Sequence, residues 1–365
     1  CQDEVMANTV LMHVDHYSRG SYGLDYHLPV VRLAWLDECP EVIDNYRQEL
    51  NIYDGRLETS YLIPGAYIKM TSYFNPYNRD IFAMELEYET CQDGTMPAII
   101  LLPETKVWTQ YGNLFTGEFD CVKFDRQENY WTGRIRIGTA DSYICYKVLS
   151  DQGIVRMAQQ TEGISVSFEG NKGCHLFLIG VAGLQRKQEL LDAVESIVDA
   201  KVYSRGSTQA WHKRWGSSWI DIPDNDYQAL WCRSLYYVLC SNSPDVAAPS
   251  PPHGWAGNAW NFHFPQDFSY IAPALLRLGH WDIVKAKVEF YRNMLDDTIR
   301  NTKRIYGVEG AMWPWEFPMG PGFELFKESF KDIHPEEICE YQSDGSIRYA
   351  APNWCQFEIH NAAYP

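Results

Sequence analysis

The spacing of apolar residues changes period near residue 185, and that change limits the chain to a two-part architecture. Ahead of it, short β-rich runs follow one another: Ile81–Tyr88, Ala98–Leu102, Tyr130–Ile137, Ser142–Val148, Ile164–Phe168 and His175–Val181. Several alternate apolar and polar residues, the period of a half-buried strand. Turn clusters divide them at Asp93-Gly94, Gly112-Asn113, Glu169-Gly170-Asn171 and Lys172-Gly173. Many short strands with turns at close spacing predict an antiparallel β-sandwich over residues 1–185.

Past the change the period is helical. Leu184–Ala200 puts Leu190, Leu191, Val194, Ile197 and Val198 on one face, which predicts a single linker helix inside a helical linker spanning 186–223. Trp211, Trp215 and Trp219 follow at i, i+4 and i+8, a stripe expected to dock the linker on the next domain. Asp224–Asp226 can cap a helix running to Cys240, with Tyr227, Leu230, Trp231, Leu235, Val238 and Leu239 as its apolar set. Phe268–Leu278 predicts a second helix and Gly279-His280 a tight break. Trp281–Leu295 predicts a third, with Ile283, Val284, Ala286, Val288, Tyr291 and Leu295 apolar, and a last helix begins near Gln356. Short turns on one side and long aromatic loops on the other are the layout of a helical toroid. A closed six-pair barrel needs roughly twelve helices of ~11–15 residues plus connections. Residues 224–365 are therefore expected to form an incomplete (α/α)6 barrel, the chain stopping inside it.

Composition narrows the partners. The net charge of -17 argues against nucleic acid and anionic membrane surfaces, and is compatible with a neutral ligand. No stretch approaches the ~18 apolar residues of a membrane span. Aromatic residues reach 15%, with 13 Trp and 24 Tyr, an excess that favours a stacking site or a large sandwich interface over simple core filling. The ten Cys include no C-x-x-C pair, and Cys232 and Cys240 stand too far apart on one helix to bridge, so scattered buried thiols are expected for most of the ten. The chain begins at Cys1 rather than Met. A cleaved signal peptide would leave a lipid-anchored cysteine there and an extracytoplasmic protein; a fragment boundary is the equal alternative. His13, Asp15, His16 and His27 lack ordered ligand spacing, and no metal is expected there. With no G-x-S-x-G, Walker A or dinucleotide fingerprint, no cofactor is expected either.

Two aromatic loops carry the chemistry: Gly254–Asp267 (GWAGNAWNFHFPQD) and Gly307–Glu316 (GVEGAMWPWE). Flat apolar rings beside a few fixed polar groups suit a sugar ring, whose C–H faces stack on aromatics while its hydroxyls take hydrogen bonds.

The chain resembles the glycosidases of families 65 and 95, which join an amino-terminal β-sandwich, a linker and an (α/α)6 barrel. In the sandwich, Tyr46–Leu50 followed by Asp54-Gly55, and Ser72 and Phe74 to Arg79-Asp80, are similar to a family hairpin and the strand entry after it. Trp211–Ile220 resembles the family 95 linker. Phe264-Pro265-Gln266-Asp267 stands where family 65 has Phe-Trp-Asp, so the resemblance makes Asp267 a glycone ligand beside Phe264; Pro265-Gln266 depart from the pattern. Gly310–Glu316 matches Gly-Ala-x-x-Pro-Trp-Glu and is the most specific motif in the chain. It implies glycone binding by Trp315 and Glu316, with Trp313 either a pocket wall or a core plug. Gln356–His360 resembles a Glu-x-His-Ile segment before the catalytic loop, which makes His360 a candidate and Glu358 its neighbour. Asn258 and Asn261 either position the attacking water or satisfy loop backbone, and His263 is read as structural.

The resemblance implies a metal-free inverting hydrolase of an α-linked glycoside (glucoside, fucoside or galactoside). Its general acid is expected after Pro365, and Glu316 is the in-chain alternative. The alternatives are an inverting disaccharide phosphorylase of the same fold, and a non-catalytic carbohydrate-binding or structural protein on a degenerate toroid. The expected partner is an oligosaccharide.

Overall fold

The structure, a computed structural model, describes residues 10–16, 26–36, 43–91, 95–103, 107–108, 114–115, 119–120, 124–137, 140–161, 163–183, 186–242, 244, 265–311, 313, 340–341 and 347–348. Its strands are β1 (Val10–His16), β2 (Tyr26–Trp35), β3 (Asp44–Asn51), β4 (Arg56–Ile63), β5 (Ala66–Asn75), β6 (Asn78–Thr90), β7 (Ile99–Pro103), β8 (Val107–Trp108), β9 (Leu114–Phe115), β10 (Phe119–Asp120), β11 (Asp125–Arg126), β12 (Trp131–Ile137), β13 (Ala140–Gln159), β14 (Ile164–Gly183), β15 (Glu340–Tyr341) and β16 (Ile347–Arg348). The helices are α1 (Lys187–Ser196), α2 (Ala200–Gly216), α3 (Asn225–Ser241), α4 (Pro265–Arg277) and α5 (Trp281–Tyr306). They fall into two compact units, one holding most of the sheet with α1 and α2 through Trp215, the other the helices from Gly216 onward.

Twelve strands join one hydrogen-bonded sheet, whose main path runs β1-β2-β7-β14-β6-β5-β4-β3. The long strand β14 makes this possible: Ile164–Val166 pair with β7, Lys172–Gly180 pair with β6, and β13 follows it along its length. The turn expected at Glu169–Gly173 is therefore not a turn. Both strands of the β13–β14 pair carry left-handed glycines, Gly153 (φ 83°) and Gly170 (φ 98°), and the register shifts between Ser150 and Ile154. The glycines are absorbed as irregularities in a continuing ribbon. The hairpin read from Tyr46–Leu50 and Asp54-Gly55 is β3–β4, and its turn ends on Gly55 (φ 66°).

Alternation gives the sheet two buried faces. Phe82, Met84, Leu86 and Tyr88 of β6 lie with His175, Phe177 and Ile179 of β14 on one face, all almost fully buried. Ile81 and Ala83 join Cys145, Leu176 and Leu178 on the other, where Leu190, Val194 and Ile197 cover them. Among the described thiols, Cys145 is buried and pushed up to about 12 by desolvation, Cys174, Cys232 and Cys240 are half-buried, and Cys91 is exposed.

The linker is two helices rather than one. α1 stops at Ser196 because the buried Lys147 ammonium donates to the carbonyls of Val194 and Glu195, supplying a cation at the helix C-terminus. α2 restarts on Asp199, whose side chain accepts from the Val202 amide. Val198 consequently leaves the apolar face and is 79% exposed.

α2 docks on the sheet through Trp211 and Trp215, which the sequence pattern assigns to the next domain. Trp211 Nε1 donates to the Phe74 carbonyl at 3.2 Å and Trp215 Nε1 to the Ile52 carbonyl at 3.0 Å. His212 Nε2 meets Asp54 Oδ1 at 2.7 Å while its ring stacks on Tyr53. Arg56 reaches up from β4 to the Ser204 carbonyl, the Ser204 hydroxyl and Thr208 Oγ1, with its guanidinium over the Tyr73 ring. Tyr73 donates to Glu85, and burial with that carboxylate pushes its phenol well above the usual range. Trp219 falls past the end of α2, is 63% exposed, and stands edge-on to Trp231.

His175 gives the sheet a pH dependence. Burial lowers its imidazole below the ordinary value, and its Nδ1 lies 2.8 Å from Ser150 Oγ. The unfolded chain thus takes up the proton first as pH falls through about 6.5. Stability is complete above that pH and is lost below it toward the lowered folded value. His175→Gln should flatten this part of the profile of Tm against pH, as followed by circular dichroism.

In the second unit, Asp224 caps α3 as expected, its side chain accepting from the Asp226 and Tyr227 amides, but only Leu235 and Leu239 of the expected set are fully buried. Tyr227 and Leu230 face solvent. α5 runs past Leu295 to Tyr306 because no breaker intervenes before Gly307, which closes it in the left-handed conformation. Thr298 and Thr302 stay helical by donating to the carbonyls of Met294 and Thr298. The buried face of α5 is Ile283, Val284, Lys287, Phe290, Tyr291, Met294, Thr298 and Thr302, while Val288 and Leu295 are exposed. Among the described residues no helix is long and apolar enough to cross a membrane.

Candidate glycone site

The site is framed by an αα-hairpin. α4 and α5 pack together, joined by Leu278-Gly279-His280. The turn closes by the His280 amide donating to the Leu275 carbonyl, with Gly279 at φ 80°. A side chain at Gly279 is excluded twice over, since a Cβ there would also press on the Ser217 carbonyl at 3.0 Å. His280 is buried, with Nε2 at 3.4 Å from Ser218 Oγ.

Reversal at this turn brings the start of α4 and the middle of α5 to one level. Asp267 to Arg277 on α4 and Trp281 to Tyr291 on α5 are equal stretches, each about 15 Å of helix axis. α4 begins at Pro265, which suits the first helical position because its missing N–H needs no partner there. The departure at Pro265-Gln266 thus has a structural meaning: it opens the helix and sets Asp267 in the first turn. A carboxylate-bearing residue there sits where the helix dipole is positive.

The second aromatic loop returns to the same level. After Gly307 the chain turns back, and Trp313 is 4% exposed with its ring edge-to-face on Tyr291 at 5.1 Å. Trp313 is thereby packed onto α5 through Tyr291. Asp267 and Trp313 are brought to one end of one helix pair, although 46 positions of sequence separate them. Phe264, Asn258, Asn261, His263, Trp255, Trp260, Trp315, Glu316, Glu358, His360 and Cys1 lie outside the described residues, as do the turns at Asp93-Gly94 and Gly112-Asn113.

Two groups beside the loop were not singled out from sequence. Tyr291 counted only as an apolar helix residue, yet it is the partner of Trp313, and burial raises its phenol far above the ordinary value. Lys287, one turn earlier, is fully buried. Periodicity could have found it: Ile283, Val284, Lys287, Tyr291 and Met294 recur at the spacing of one helix face, and a lysine in that row is the signal.

Comparison with known proteins agrees with this architecture. The chain is 25% identical over 333 residues to a kojibiose hydrolase of Flavobacterium johnsoniae, covering 83% of this chain and 47% of that one. A kojibiose hydrolase of Mucilaginibacter mallensis is 32% identical over 114 residues, 31% of this chain and 16% of its own. The chain spans about half the length of the fuller of these relatives. No protein-family model matches it. Among solved structures, a human-microbiome protein provisionally named a kojibiose phosphorylase superposes with a TM-score of 0.60 at 14% identity, over 86% of this chain and 45% of that one. The fold is of the (α/α)6 glycoside hydrolase kind, a large antiparallel β domain followed by helices of a toroid.

Proposed function

We propose that this chain is part of an inverting glycosidase and supplies its glycone pocket, with Asp267 accepting sugar hydroxyls and Trp315 and Glu316 walling the ring. The observation that carries this reading is the juxtaposition in the α4–α5 hairpin: the first turn of α4, with Asp267, lies level with Trp313 on Tyr291, at the base of the loop that bears Trp315 and Glu316. Trp313 serves as the anchor and Trp315 as the stacking ring. The kojibiose hydrolases supply the choice of sugar, an α-linked glucoside in preference to a fucoside or galactoside. Inversion requires an acid to protonate the glycosidic oxygen and a base to activate water, their carboxyl groups about 6.5–9.5 Å apart. Glu316 acts as a ligand in this scheme; turnover by the chain that vanishes in Glu316→Gln would make it the acid instead.

The second reading is a phosphorylase, supported by the likeness to the microbiome protein. Incubating the 365-residue chain with kojibiose in the presence and absence of inorganic phosphate separates the two. Hydrolysis releases glucose in both conditions. Phosphorolysis requires phosphate and yields glucose 1-phosphate. Binding without either product fits a pocket without its complete catalytic pair.

A further inference from the structure

We propose that strand β3 is a self-association edge, through which two copies of the chain pair antiparallel about a two-fold axis at Gln48. β3 ends the main path of the twelve-stranded sheet, and β4 is its one described strand partner. All eight of its residues are exposed. Soluble proteins blunt such edges with bulges, prolines and lysines, because open N–H and C=O groups template further pairing. β3 has no proline or lysine, and its bulge is confined to its start, between Asp44 and Arg47, where Asn45 takes φ 53°. Arg47–Asn51 run in regular register beyond it.

The sequence of this edge is complementary to itself. Antiparallel pairing centred on Gln48 sets Arg47 opposite the second copy's Glu49 and Tyr46, at the inner end of the bulge, opposite its Leu50, and the two-fold repeats each pair. Centring between Arg47 and Gln48 would instead oppose Tyr46 to Glu49 and lose both matches. The charged pair also suits the edge: within the chain, Glu49 lies directly across from Glu58, a like-charge neighbour that meets Lys69 at 3.5 Å, and Arg47 is the one cation on β3. An arginine arriving on the open side of Glu49 balances that repulsion. Tyr46 is 60% exposed and Leu50 43%, so both present apolar surface to the pair. A contact of this kind is small, in the weak and transient class below about 1,200 Å².

Charge reversal tests it on the 365-residue chain by sedimentation velocity at about 0.15 M salt, over roughly 1–100 μM, the range of weak complexes. The wild type should move toward twice its monomer mass as concentration rises. Arg47→Glu and Glu49→Arg should each hold it at the monomer, and the double variant, which restores opposite charges across the axis, should return the association. Both side chains are solvent-exposed, so circular dichroism should show an unchanged fold in all three. A wild type that stays monomeric, association that persists in both single variants, or a folded double variant that stays monomeric would each overturn the proposal.

Discussion

Trp211→Ala should release α2 from the sheet. Truncating a buried tryptophan costs about 3–5 kcal/mol, and the hydrogen bond to the Phe74 carbonyl adds about 1. That is a large share of the 5–15 kcal/mol typical of a domain. Amide exchange across Ala200–Gly216 should accelerate by at least two orders of magnitude, since each 1.4 kcal/mol is about tenfold, while β6 and β14 exchange slowly as before. Gly55 gives the sharper form of the test. A Cβ at Gly55 would fall 2.1 Å from Trp211 Nε1, and its φ is +66°. Gly55→Ala should therefore be severe in the wild type. In the Trp211→Ala background only the left-handed backbone penalty of about 1–2 kcal/mol should remain. The two changes must be strongly non-additive, because they remove the two sides of one contact. Additive losses would mean that Trp211 does not rest on Gly55.

Asp267→Ala should weaken binding of kojibiose strongly while lowering Tm only slightly. A hydrogen bond to a charged acceptor contributes about 1.5–3 kcal/mol, so losing one costs roughly ten- to a hundredfold in Kd, and losing two costs more. Asp267→Asn, which keeps an acceptor oxygen, should fall between. The rival role for this residue is a partner of the helix dipole, worth only about 0.3–1 kcal/mol. That role alone predicts the same slight fall in Tm with affinity unchanged.

Local chemistry was legible in the sequence, and long-range partnership was not. Asp224 announced the start of α3 and Gly279-His280 the turn before α5, because caps and glycine turns are satisfied by near neighbours. The β3–β4 hairpin was legible for the same reason. The break between α1 and α2 was hidden because it depends on Lys147, some fifty positions away in β13, reaching the carbonyls of Val194 and Glu195. The tryptophan stripe predicted a buried face correctly for Trp211 and Trp215, but periodicity carries no information on which surface covers it. β14 read as two strands because a glycine-rich break and a bulge look alike in one chain and differ only in whether the neighbours continue. At the site, motif resemblance named Asp267 and Trp313. That the first turn of α4 falls level with Tyr291 follows from the lengths of α4 and α5, and Tyr291 became visible as the partner of Trp313 only with that geometry.

The two loops are proposed to form one sugar pocket. The measurement that tests it most directly is calorimetric titration of the folded 365-residue chain with kojibiose up to about 10 mM, well above the usual range of substrate affinities. Saturable binding is expected, and Asp267→Ala should weaken it at least tenfold while the stability read from Tm falls by no more than the helix-dipole contribution of about 0.3–1 kcal/mol. No saturable binding by the folded chain, or binding that Asp267→Ala leaves intact, would contradict it.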